Sequence, residues 1–176
     1  MVRLRLPLTA DAEARAALGV SAAINRMYGA QTETVRVMPR RQATRWLKGL
    51  QKHPNAWIIE ADGALVGEAR LDDLNPTDRR ARLAIGLHSE CDLGRGIGRR
   101  AIGLVLQQAF GPLTLQRVDL RVLAYNVRAI RCYEACGFIR EGVERNAALV
   151  GGEWHDDWIM AILEPEYRER FYDGSA

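Results

Sequence analysis

"GRGIGRR", residues 94–100, decides how this chain is read. Three glycines alternate along it and three arginines stand among them. Before it, "ARLAIGLHS" (81–89) has the composition of a strand. After it, residues 97–110 place Ile97, Ala101, Leu104 and Val105 on one face of a helix. Strand, glycine turn and helix N-terminus together make an anion site, because the first N–H groups of a helix lack acceptors and the helix dipole favours negative charge. Glycine lets the backbone turn tightly and lets a ligand approach the amides. Arg95, Arg99 and Arg100 add positive charge. The stretch reads as a phosphate cradle, suited to a pyrophosphate.

The pattern excludes two common phosphate loops. A P-loop needs GxxxxGK followed by Ser or Thr, and none is present. Gly94, Gly96 and Gly98 form GxGxG, the place of a third fingerprint glycine is taken by Ala101, and the preceding pattern is an antiparallel run rather than an opening βαβ unit, so it is not a good dinucleotide fingerprint. A tight turn with no ligand remains the alternative for this segment alone.

Working outward, "VRLRLPL" (2–8) alternates as a half-buried strand, and Thr9 or Asp11 is placed to cap a helix over 12–18. Residues 19–38 have no clear period. "PRRQATRWLKGLQKH" (39–53) puts Ala43, Trp46, Leu47 and Leu50 on one helical face behind an opening proline. "AWIIEA" (56–61), "DG" (62–63) and "ALVGEARL" (64–71) read as a hairpin. "LDDLNPTD" (71–78) reads as an acidic turn. "RVDLRVLA" (117–124) is a strand. "NVRAIRCYEACG" (126–137) is a short helix capped by Asn126 and stopped by Gly137. Residues 138–163 close with a hairpin across "GG" (151–152). The order β-α-α-β-β-β-α-β-α-β-β predicts an α/β (α+β) fold, a mixed sheet of about seven strands flanked by helices.

The 176 residues suit one domain, 1–176. The formal net charge is +3, with both signs interspersed. A direct nucleic-acid partner calls for a concentrated basic patch, so none is expected. No apolar run reaches the roughly 18 residues of a membrane span. "MVRLRLPLTADAEARA" (1–16) has no apolar signal region, so the expected location is cytoplasmic. Cys91, Cys132 and Cys136 are an odd number without CxxC spacing, so neither a disulfide framework nor a metal site is expected.

Two motifs at this spacing carry a family resemblance. "LGRGIG" (93–98) is similar to the signature R/Q-x-x-G-x-G/A, departing from it at Leu93. Asn126, Ala129, Ile130, Tyr133, Gly137 and Phe138 follow N-x-x-A-I/L-x-x-Y-x-x-x-G-F. Together they resemble the GNAT superfamily of acetyl-CoA-dependent N-acetyltransferases, best over residues 55–165. The closing hairpin looks like the subgroup of ribosomal-protein N-terminal and spermidine acetyltransferases.

The resemblance implies a mostly antiparallel GNAT sheet that splays between its fourth and fifth strands to admit acetyl-CoA. It implies pyrophosphate contacts from Leu93, Gly94, Arg95, Gly96, Ile97, Gly98 and Arg99, and pantetheine contacts from Leu87, His88, Ser89 and Asn126. It implies that Tyr133 donates a proton to the leaving thiolate, and that a backbone N–H of the fourth strand holds the oxyanion. Candidates for the base are Glu68, His88 and Glu90. The carboxylate that relatives carry near the start of the fourth strand is absent from "RRARLA" (79–84). The implied acceptor is a primary amine: a protein N-terminus, a polyamine or another small amine, with residues 19–45 covering it and Asp72 and Asp73 as attractors of a cation. Alternatives are a non-catalytic acyl-CoA-binding module, an aminoglycoside-type antibiotic acetyltransferase, or a nucleotide-binding protein of another fold. A homodimer is also open, with the last strand and "PEYRERFY" (165–172) as candidate contacts.

Overall fold

The computed structural model describes residues 1–30 and 37–171. Seven strands, β1 (Val2–Arg5), β2 (Ala56–Ala61), β3 (Ala64–Asn75), β4 (Arg80–Leu87), β5 (Arg117–Leu123), β6 (Ile139–Val150) and β7 (Glu153–Leu163), form one sheet in the order β1-β2-β3-β4-β5-β7-β6. The helices are α1 (Asp11–Leu18), α2 (Ala22–Met27), α3 (Arg40–Lys52), α4 (Ile97–Phe110), α5 (Val127–Ala135) and α6 (Glu164–Phe171). The α/β architecture and mostly antiparallel sheet expected from the sequence are what the chain adopts. The chain divides into two compact units, residues 1–70 with 85–101 and residues 71–84 with 102–176.

In the first unit the β2–β3 hairpin turns at Asp62 and Gly63, both with positive φ (51° and 84°), the geometry that a two-residue turn needs to match strand twist. Ala43, Leu47 and Leu50 of α3 are buried, as their spacing requires, and Trp46 packs beside Leu50, Ala56, Ile58 and Leu65. Asp11 does not cap α1. The N-cap is Ala10, and Asp11 accepts instead from the Leu8 amide and from Arg5, which also bonds Glu60. A fixed cation on β1 outcompetes the helix amides for that carboxylate. α2 escaped the sequence reading because six residues hold too little periodicity; its Ser21 cap, accepting from Ile24 N at 3.2 Å, was the available signal.

In the second unit β4 and β5 pair in parallel, only from Arg80–Arg82 to Arg117–Asp119. Both strands continue past that ladder within this unit, through Ala84 and Leu123. The ladder ends at Arg82, and beyond it lies the stretch where the resemblance implies a splay. α5 ends in a Schellman motif: Phe138 N donates to Tyr133 O (3.0 Å) and Gly137 N to Glu134 O (3.0 Å), with Gly137 at φ 96°. The acidic stretch 71–78 is not a loop throughout. β3 runs to Asn75, and Asp73 lies 3.5 Å from Arg82, so a strand-borne cation already faces it. In α6, which covers most of the stretch 165–172 named as a candidate subunit contact, Tyr167 is buried against the Phe110 ring (4.9 Å). Tyr172 and residues 31–36 of the expected acceptor cover lie outside the described residues.

Candidate active site

The first unit places Glu68, Leu87, His88, Ser89 and the whole run Leu93–Arg99 together in one compact body. After β4 the chain makes a 3-10 turn, Glu90–Asp92, capped by Ser89, whose Oγ accepts from Cys91 N. Leu93 N donates to Glu90 O (3.1 Å), so this amide is spent within the turn and is not available to an anion. Gly94 and Gly96 follow at φ 74° and 73°. This is the left-handed region that favours glycine, and an added Cβ at either position meets open space within 4 Å. α4 then begins, its first internal bond being Arg100 N to Gly96 O (3.1 Å). The amides of Ile97, Gly98 and Arg99 precede it and have no acceptor within the helix. Arg95 spans Asp92 (3.1 Å) and Asp62 (3.8 Å), which fixes it over the turn, while Arg99 and Arg100 are exposed.

Glu68, on β3, is one of the candidate bases. Its side chain is 18% exposed. One oxygen accepts from the indole N–H of Trp46 and the other lies 3.4 Å from Arg70. Trp46 had been read as core alone; an indole at the solvent-side margin of the α3 stripe was the only hint, because Trp N–H needs an acceptor when covered. His88 Nε2 lies 3.7 Å from Glu68 and its ring meets Trp46 edge-on at 5.7 Å. Burial first, then the charge of Arg15, push the His88 imidazole down to about 3. The ordinary histidine value that suggested a base does not survive folding: His88 stays neutral and is a weak proton acceptor. Its amide is also engaged, donating to Val66 O at 2.9 Å.

The second unit carries the other two candidates on α5. Asn126 caps the helix, accepting from Ala129 N at 3.2 Å. Tyr133, two turns on, stands edge-on to Phe138 at 5.8 Å and is half-buried. Cys91, Cys132 and Cys136 form no disulfide, and no group of three or more metal-ligating side chains converges, among the described residues. Among those residues no helix is long and apolar enough to cross a membrane.

The family described as "Acetyltransferase (GNAT) domain" matches residues 2–139. A probable N-acetyltransferase of Bacillus subtilis, YjcK, is 37% identical over 73 residues, 42% of this chain and 40% of its own length. The spermidine N(1)-acetyltransferase of Vibrio cholerae is 32% identical over 122 residues, 67% of this chain and 70% of its own. The chain thus spans between two fifths and seven tenths of these curated relatives. A crystal structure of the V. cholerae spermidine N-acetyltransferase with CoA and spermine superposes with a TM-score of 0.79 at 23% identity, covering 94% of this chain and 97% of that one, which establishes the shared fold. With the family match covering residues 2–139, most of the sequence, the chain belongs to the GNAT acetyltransferases.

Proposed function

We propose that this protein is an acetyl-CoA-dependent N-acetyltransferase acting on a primary amine, and that its 176 residues work as one domain. The observation that carries the reading is the head of α4, where two left-handed glycines with open space beside them lead into first-turn amides that precede the first bond of the helix, Arg100 N to Gly96 O. A pyrophosphate fits such a cradle: backbone donors, no side chain in the way, and exposed arginines at its rim.

When bound, the coenzyme supplies an acetyl thioester, from which an amine nitrogen takes the acetyl carbon while the C–S bond breaks with its electron pair on sulfur. One proton leaves nitrogen and one reaches sulfur. In this reading the amides of Gly94–Arg99 hold the phosphates, Leu87 and Ser89 offer backbone to the pantetheine arm, and Asn126 orients that arm. Glu68 accepts the amine proton, its carboxylate held by Trp46 and Arg70. Neutral His88 packs the Trp46 ring edge and keeps the carboxylate in place. Tyr133 delivers the proton to sulfur, a role open to a half-buried phenol.

Calorimetric titration with acetyl-CoA, CoA, NAD and ATP tests the cradle, and thiol release with peptides, polyamines and aminoglycosides tests transfer. Selective acetyl-CoA binding with turnover is expected. Tyr133→Phe should keep acetyl-CoA affinity and lose roughly 10²–10⁴ in kcat, the usual contribution of a positioned acid. Binding of NAD or ATP instead defeats the reading, and firm CoA binding with no turnover on any amine leaves an acyl-CoA-binding module.

A further inference from the structure

Tyr28, the residue that ends α2, lies on the backbone of β4 within the first unit. Its hydroxyl donates to Ile85 O at 3.4 Å. The next residue of the strand is Gly86, and a Cβ built there would meet the Tyr28 hydroxyl at 1.8 Å, its Cζ at 2.7 Å and its Cε1 at 3.3 Å. The edge of the phenol thus stands where any other residue at position 86 would put its side chain. Tyr28 is nonetheless 55% exposed, so the ring borders open space as well as the strand.

This spot coincides with the transfer point of the acetyltransferase reading. A pantetheine arm that leaves the glycine turn and passes Ser89 and then Leu87 brings its thioester end to Gly86 and Ile85. Glu68 is close by: His88, two residues from Gly86, has its Nε2 3.7 Å from that carboxylate, and two residues of chain span no more than about 7 Å. An attacking amine must come within roughly 3–3.5 Å of the thioester carbon and within hydrogen-bond reach of its base. The carbon that bears the amine then runs against the edge of the Tyr28 ring.

We propose that Tyr28 selects the acceptor by shape, admitting a primary amine carried on an unbranched CH2 group and turning away one carried on a branched carbon. This rests on the acetyltransferase reading and narrows its acceptors. Chain-end amines such as those of polyamines and aminoalkyl groups fit, as does a glycine N-terminus; the branched α-amines of other amino acids and N-termini do not. The reason is steric: a ring edge in direct contact with strand backbone cannot move closer to it, so an added methyl group on the acceptor has to displace the ring.

The test compares n-butylamine with sec-butylamine, which share formula and charge and differ in branching at the amine carbon. Their reaction with acetyl-CoA in free solution gives the intrinsic ratio. In the wild-type protein the kcat/KM ratio should exceed that intrinsic ratio by about tenfold to 200-fold, the range one misplaced carbon produces in a fitted pocket. Tyr28→Ala should bring the ratio back to the solution value, and Tyr28→Phe, which keeps the ring, should preserve it. A wild-type ratio equal to the solution value, or an unchanged ratio in a folded Tyr28→Ala protein, overturns the proposal while leaving the acetyltransferase reading in place. If no amine is acetylated, that reading fails, and calorimetric titration of the CoA-loaded protein with the two amines then decides Tyr28. Tighter binding of n-butylamine keeps the assignment, and equal binding ends it.

Discussion

Replacing Gly96 by alanine puts one methyl group at the head of α4, and its consequences follow from two numbers. The backbone there has φ 73°, and the new Cβ meets nothing within 4 Å. Steric crowding is absent, so the penalty is the left-handed conformation itself, roughly 1–2 kcal/mol for an L-residue. That energy has two outlets. If the turn holds its shape, the protein loses it as stability, and since about 1 kcal/mol moves Tm by 2–4 °C at this size, the midpoint falls by about 2–8 °C. If the turn relaxes, the amides of Gly96, Ile97 and Gly98 leave their cradle geometry, and CoA affinity falls about 5- to 30-fold instead. Calorimetric Kd and thermal unfolding on the same sample measure both, and the two losses together should account for about 1–2 kcal/mol. Gly96→Asn should recover part of it, because asparagine visits this region more readily. An alanine variant with unchanged Tm and unchanged CoA affinity refutes the argument: the turn is then neither strained nor part of a cradle.

Two further outcomes are expected. The His88 pKa is lowered by folding from 6.5 to about 3, so its neutral form contributes stability that is full above pH 6.5 and is lost as pH falls towards 3. The slope reaches about 1.4 kcal/mol per pH unit inside that window. Denaturation midpoints at pH 7, 5.5 and 4.5 should fall accordingly, and His88→Gln should flatten the trend; an equally steep trend in the variant would assign it to other groups. Gly67→Ala and Gly86→Ala should differ sharply: a Cβ at Gly67 meets the Gly86 carbonyl oxygen at 2.2 Å, backbone that cannot step aside, whereas one at Gly86 meets the Tyr28 hydroxyl at 1.8 Å, the end of a side chain that can swing away. Chemical denaturation should show the first variant strongly destabilised or unfolded and the second folded, and equal stabilities would contradict that account.

The sequence alone determined what short-range rules control. The hairpin turn at Asp62–Gly63, the α3 stripe, the Asn126 cap, the Gly137 stop and the glycine turn before α4 are each set within a few residues, by φ preference, helix period or an unsatisfied amide. Two such local signatures about thirty residues apart were enough to reach the family and the sheet. Pairings across the chain were decided only by tertiary structure. Asp11 abandons a cap for Arg5, Glu68 turns inward to meet Trp46, and His88 loses its usual basicity because burial and Arg15 disfavour its charged form. In each case the deciding partner lies on another element, and a side chain's protonation and direction follow from the charges and dielectric that packing places around it.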